Sequence, residues 1–181
     1  MIYNPKKHHR RSIRLKEYNY SQAGMYFITI RTYKWGKIFG KILNGKMYLN
    51  EFGSTVKFEW LKTSKMRVNI DIDEFVIMPD HFHGIIIINE WYNKNIQHNE
   101  AMQYSKYYNT MGNQIEQFGK STKNSIPTII KLFKSSSTKK INNLRNTPGK
   151  PVWQRNYYER LIRNEKALYQ IRTYIRNNPL K

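Results

Sequence analysis

Short apolar segments of two different periods alternate along the chain and divide it into elements. Residues 25–31 (MYFITIR) are β-branched and aromatic almost throughout, which predicts a strand. Residues 37–50 predict a hairpin: Ile38, Phe39 and Ile42 lead into Asn44-Gly45, a pair suited to a two-residue turn, and residues 46–49 return. Over 51–65 the period becomes helical, with Phe52, Val56, Trp60 and Leu61 on one stripe and Asn50 as the cap. Residues 68–72 and 74–78 are extended again, and the unbroken isoleucines of 85–88 suit a strand buried on both faces. Periodicity fades over 89–125, a stretch rich in Asn, Gln, Lys and Tyr that is expected to be a loop inserted into the domain. It resumes at 126–142, where Pro127 suits a first helical turn and Ile129, Ile130 and Phe133 form an apolar face. A turn at 147–151 and a strand at 152–158 follow, and Asn164 caps a last helix over 165–177 that Pro179 stops. The order predicts one α+β domain over 1–181, an antiparallel sheet with helices packed on one face.

Charge changes the picture. Lys and Arg number 32 against 12 acidic residues, a formal net charge of +20. An excess of that size points to a polyanionic partner. Fourteen tyrosines among the bases add rings able to stack on unpaired nucleobases. The segment 1–17, with His8, His9, Arg10 and Arg11, is a basic arm, read equally well as a disordered tail or as an arm that tracks a nucleic-acid strand. The chain has no cysteine, which excludes disulfides, thiolate zinc sites and a cysteine nucleophile. No apolar run reaches membrane-spanning length, and residues 1–14 lack the apolar core of a secretion signal. The expected setting is the cytoplasm, facing nucleic acid and not a membrane.

The chemistry begins at His81, Phe82 and His83, inside the run FVIMPDHFHGIIII of residues 75–88. Alternation along a strand puts both imidazoles on one face and Phe82 on the other. Two neutral imidazoles side by side form half of a divalent-metal site. Asp80 and Glu74 stand near enough in sequence to orient those rings, although a turn role suits Asp80 equally well. In the last helix Leu168, Ile171 and Ile175 form the buried stripe, with Tyr174 at its edge and Asn178 four residues later. A tyrosine in that position is more often a packing residue than a nucleophile.

Taken together, several segments resemble a known family. They are the strand 26–30, the motif MPDHFHG at 78–84, Phe133-Lys134, the run VWQRNYYERLIRN at 152–164 and the terminal YIRNNPLK at 174–181. The chain looks like the REP-associated tyrosine transposases, relatives of the single-tyrosine HUH insertion-sequence transposases, over nearly all its length except 89–125. The resemblance implies a ferredoxin-like fold of the HUH endonuclease type and metal-dependent cutting and rejoining of single-stranded DNA at palindromic, hairpin-forming repeats. It implies His81, His83 and Asn178 as ligands of Mg²⁺ or Mn²⁺, and Tyr174 as the nucleophile that forms a 5′-phosphotyrosine. The neighbours Tyr157 and Tyr158 are rivals for that role, and no general base stands out. Lys131, Lys134, Arg155, Arg160 and Arg163 are the expected DNA contacts. A monomer or homodimer in the bacterial cytoplasm, at the nucleoid, is the expected setting. Two other readings use the same residues: a repeat-binding protein without catalysis, and a metal-dependent nuclease that uses water.

Overall fold

Strand β1 (Gly24–Arg31) is an inner strand of the sheet, and its alternation divides the core into two layers. The computed structural model describes residues 19–90, 122 and 124–180. After β1 the chain makes a tight turn at Tyr33–Trp35 and the hairpin β2 (Gly40–Leu43) and β3 (Lys46–Leu49). Helix α1 (Glu51–Lys65), strands β4 (Ile70–Ile77) and β5 (His81–Ile88), helix α2 (Ile126–Leu144), strand β6 (Tyr158–Ile162) and helix α3 (Glu165–Arg176) follow. The main sheet runs β4-β5-β1-β6 with every neighbouring pair antiparallel, the ferredoxin-like order expected. The hairpin forms a separate two-stranded sheet. Asn44 and Gly45 both adopt left-handed backbone angles at its tip, as a two-residue turn of matching twist requires.

One face of the sheet packs against α1 and α2. Tyr26, Ile28 and Ile30 of β1 and Phe82, Ile86 and Ile88 of β5 join Val56, Trp60, Ile126, Ile129, Ile130 and Phe133 there. Phe82 is fully buried, and its ring lies 4.4 Å from Trp60 and 5.6 Å from Phe133. Gly84 makes this packing possible, since a Cβ there would stand 2.7 Å from both Phe82 and Trp60. The other face carries Phe27, Ile85 and Ile162, covered by Leu168, Ile171 and Ile175 of α3. The helices therefore cover both faces: α1 and α2 lie on one and α3 on the other. The one-face expectation overlooked that Phe27 and Ile85, the odd-numbered partners in the alternation, are as apolar as their neighbours and need a cover of their own.

Caps fall where expected: Asn50 accepts from the Gly53 N–H at 3.0 Å and Asn164 from the Ala167 N–H at 2.9 Å. Helix α2 starts behind Ser125, with Pro127 in its first turn, and ends two residues later than expected. Residues 70–77 form one strand in place of two extended pieces, with a register shift between Ile72 and Phe75. The shift keeps Ile70, Ile72, Phe75 and Ile77 at the same core and sets Asp73 and Glu74 at the bulge. Val68 lies outside the strand and is 88% exposed. Leu61 also departs from expectation: it is exposed, and Gly53, Glu59 and Thr63 join Val56 and Trp60 on the buried side of α1.

The strand expected at 152–158 lies later, at Tyr158–Ile162. Val152 and Trp153 are buried, but they are held singly, by one bridge from Trp153 to Thr32 and by the Trp153 indole N–H donating to Ser137 Oγ at 2.9 Å. Arg155 and Asn156 are exposed, and the period-2 pairing with β1 starts only at Tyr158. The basic arm at 1–17 and the loop expected at 89–125 lie outside the described residues, save 89, 90, 122, 124 and 125. Among the described residues, no helix is long and apolar enough to cross a membrane.

Candidate active site

His81 and His83 leave β5 on the α3 side of the sheet, as alternation demands, with their ring centroids 4.8 Å apart. In the ladder His83 stands between Thr29 of β1 and Val76 of β4, and His81 stands opposite Arg31. Register supplies the ring partners. Thr29 Oγ1 lies 2.8 Å from His83 Nδ1, and the Asp80 carboxylate lies 2.6 Å from His81 Nδ1. A carboxylate accepts, so His81 Nδ1 donates to Asp80, and in the neutral ring Nε2 is the nitrogen that carries the lone pair. Phe27 stacks on His83 at 5.4 Å and fixes the plane of that ring. Asp80 therefore has the orienting role that the sequence left open.

Tyr174 reaches this pair from α3. Its hydroxyl lies 3.2 Å from His83 Nε2, and its ring meets those of His83 and Phe27 edge-on at 5.2 and 6.2 Å. Tyr174 remains 37% exposed, so the phenol oxygen sits where buried packing meets solvent. Two ion pairs dock the helix that carries it. Arg172 holds Asp73 through Nε at 2.9 Å and Nη2 at 2.7 Å, and Arg176 holds Glu74 through Nε at 3.0 Å and Nη2 at 2.6 Å. Arg172 and Arg176 are one turn apart and flank Tyr174, while the β4 bulge offers two successive acids to one helix. Hydrogen bonds to Asp73 and Glu74 push both guanidinium groups further toward the charged form. Glu74 thus serves the helix and not a histidine. Thr29, Asp73, Arg172 and Arg176 had no sequence signal of their own, because each acts through a partner distant along the chain.

Asn178 is placed differently from expectation. Helix α3 ends at Arg176, and Asn178 lies buried in the following 3₁₀ turn Asn178–Leu180. Its separation from Tyr174 is therefore not the one-turn spacing of a continuous helix. Among the described residues, its side chain makes no hydrogen bond to either histidine. Of the rival tyrosines, Tyr157 is half-buried and packs against the α1/α2 core. Tyr158 is exposed on the histidine face, but it pairs with Thr29, which separates it from His83 by one strand.

Of the expected cations, Arg160 pairs with Phe27 on the histidine face, Arg163 and Arg155 are exposed, and Lys131 is exposed on α2, which covers the opposite face of the sheet. Lys134 plays a different part. Its ammonium donates to the carbonyls of Gln154 and Arg155 and ties α2 to the segment before β6. Burial pushes it down from 10.5 to about 8. It borders a groove of about 520 Å³ that also takes in Lys139, Asn142, Gly149 and Arg155.

The two imidazoles suit a divalent cation. Each Nδ1 is engaged by an oxygen, the arrangement that orients Nε2 in histidine-bound metals. Among the described residues, no group of three or more His, Cys, Asp or Glu side chains is placed to hold a metal ion. A site here would draw its remaining ligands from amide, water or substrate oxygen, as hard, labile cations do.

No family model matches the chain. An uncharacterised protein of Haemophilus influenzae (strain ATCC 51907 / DSM 11121 / KW20 / Rd) is 43% identical over 178 residues, 98% of this chain and 92% of that protein. The chain belongs to that protein's family. The structure of a REP-associated tyrosine transposase bound to a REP hairpin aligns with it at a TM-score of 0.58 and 16% identity, over 94% of this chain and 73% of that one. This chain thus shares its fold with a REP-associated tyrosine transposase, in agreement with the α+β architecture expected from the sequence.

Proposed function

We propose that this protein processes DNA as a transposase does, cutting and rejoining a single strand at hairpin-forming repeats through a covalent link to Tyr174. The observation that carries this reading is the contact between the Tyr174 hydroxyl and His83 Nε2, on a face where His81 also directs an oriented ring. A tyrosine that served only packing would gain nothing from two ordered imidazoles and a half-open position. The fold shared with a transposase solved on a REP hairpin, and the charge of +20, support a DNA strand as the partner.

In this reading the phenol oxygen of Tyr174 attacks the scissile phosphorus. The phenol gives up its proton as a Tyr–O–P bond forms, the P–O3′ bond breaks, and the departing 3′ oxygen takes up a proton, so the 5′ side stays on the enzyme for rejoining. Without a metal, His83 Nε2 holds the phenol oxygen, and the docked helix keeps it at the sheet. His81 and His83 would hold Mg²⁺ or Mn²⁺, which when bound offsets charge on a non-bridging phosphate oxygen. Asn178 is retained as a third ligand on the strength of the resemblance alone. Arg155, Arg160, Arg163 and Lys131 would neutralise backbone phosphates. Such an enzyme would work in the cytoplasm on nucleoid DNA.

A hairpin oligonucleotide with a labelled unpaired flank, incubated with Mn²⁺ and run on a denaturing gel, tests this. The expected result is a protein–DNA adduct that Tyr174→Phe abolishes and Tyr158→Phe leaves in place. Cleavage that survives Tyr174→Phe would identify a nuclease using water. Tight binding without cleavage across repeat sequences would identify a repeat-binding protein.

A further inference from the structure

We propose that the turn Tyr33–Trp35 is a stacking platform for an unpaired nucleobase beside the scissile phosphate, a proposal that rests on the reading of the Tyr174 site given above. The turn leaves β1 directly after Arg31 and shows two aromatic rings to solvent, Tyr33 at 46% and Trp35 at 55% exposure. Its backbone is unusual. Lys34 and Trp35 both adopt left-handed angles, with φ of 52° and 59°, a region that bulky residues rarely enter. Holding them there costs free energy, and surrounding bonds impose the conformation. Thr32 is fully buried, and both its N–H and its hydroxyl donate to the Asp80 carbonyl at 2.9 Å. The Tyr33 N–H donates to the Val152 carbonyl at 2.8 Å, and the Trp35 N–H to the Thr32 carbonyl at 3.3 Å. The backbone of the turn is thus fastened from two sides, which fixes where its rings start.

Position ties this platform to the histidines. Arg31 is the ladder partner of His81, and its guanidinium lies 3.7 Å from the centre of the Trp35 ring. Asp80 joins the two places, since its carbonyl anchors Thr32 while its carboxylate holds His81 Nδ1. A strand whose phosphate lies at His81 and Tyr174 would therefore carry a neighbouring base to Trp35, with Arg31 between them. Trp35 keeps more than half its surface open even with Arg31 on its ring. Charge selects the occupant. Segment 31–37 contains Arg31, Lys34 and Lys37 and no acidic residue, and the Lys34 ammonium lies 5.6 Å over the Tyr33 ring. Rings among bare cations suit a ligand with a π face and a phosphate backbone, which is single-stranded nucleic acid.

Binding of a short fluorescein-labelled oligothymidylate to the full chain, without divalent metal, tests the proposal apart from any chemistry. Trp35→Asn removes the ring and leaves a residue that accepts the left-handed angle, so the turn should persist. It should weaken oligothymidylate binding roughly five- to 150-fold, while Trp35→Phe keeps most of the affinity. The salt dependence should not change, and binding to the same sequence as a duplex should stay within about twofold, since neither rests on stacking an unpaired base. Unchanged oligothymidylate binding by Trp35→Asn would overturn the proposal. So would an equal loss on duplex, or a loss confined to anionic phospholipid vesicles, which would mark a membrane contact. The Tyr174 adduct assay separates the two readings. An adduct formed equally by wild type and Trp35→Asn at limiting DNA removes the platform alone. Trp35-dependent binding with no adduct in any protein removes strand transfer and leaves a base-stacking surface.

Discussion

His83 has each ring nitrogen within hydrogen-bond reach of a hydroxyl, Thr29 on one side and Tyr174 on the other. The Thr29 contact fixes how the ring stands in the ladder, and so fixes where Nε2 meets the phenol. Thr29 acts through His83, which makes it a positioning residue. Thr29→Val keeps the shape and the β propensity but removes the oxygen. Adduct formation should then fall roughly 10- to 100-fold, as happens when the outer partner of a functional histidine is lost. Thr29→Ser should restore most of it, because a hydroxyl on the same Cβ reaches the same nitrogen. Thermal melting of both variants close to wild type would confirm that the loss is one of orientation; full activity in Thr29→Val would show that Phe27 stacking alone holds the ring. The histidines themselves were legible in the sequence because alternation in a strand is a local rule, and Phe82 on the opposite face is buried as that rule requires. Thr29 was not legible, since only the β1–β5 register makes it a neighbour of His83.

At the scale of elements, the question is what keeps α3 where Tyr174 is useful. Leu168, Ile171 and Ile175 bind the helix to the sheet, yet apolar contact alone tolerates sliding. Arg172 and Arg176 add two directed contacts to Asp73 and Glu74, at separations of 99 and 102 residues along the chain. Arg176–Glu74 is exposed and Arg172–Asp73 is part-buried at the surface, so neither pair adds much to stability. Their larger effect should be on position. Arg172→Gln with Arg176→Gln should leave melting nearly unchanged and slow adduct formation, by as much as about 100-fold if the phenol shifts by an ångström. The rate should also fall in wild type as salt rises, and less so in the double variant; a double variant as fast as wild type would show that the apolar stripe sets the register by itself. The same scale shows where sequence reading stops. Caps, the Asn44-Gly45 turn and the periods of α1 and α2 are short-range signals, and they placed those elements within a few residues. The strand expected at 152–158 lies later because Val152 and Trp153 look like strand residues but meet the sheet only at the single bridge of Trp153 to Thr32, with the Trp153 indole held by Ser137. The side taken by α3 and the end of its last turn before Asn178 depend on tertiary packing, which no local period reports.

For the whole molecule, the charge of +20 matters by where it is exposed, not by its sum. Arg160 lies on the histidine face, and Arg155, Arg163 and Lys131 point into solvent, so each is able to displace a counterion from a bound strand. Lys134 is as positive in sequence, but its ammonium is engaged by the Gln154 and Arg155 carbonyls. The two groups should therefore separate in a salt titration. Binding of a single strand weakens with salt by a slope of about 0.7 per neutralised phosphate, so Arg160→Gln should lower the slope by roughly that amount. Lys134→Met should instead weaken binding with little change in slope, because it loosens the segment that presents Arg155 without removing a phosphate contact. Equal slope losses in the two variants would mean that Lys134 releases its carbonyls when DNA arrives. In that case the groove beside α2, where Lys134 and Lys139 lie together, would be part of the path of the strand. Unequal losses would show that Lys134 keeps its carbonyls when DNA binds, while Arg160, on the histidine face beside Tyr174, meets the strand directly.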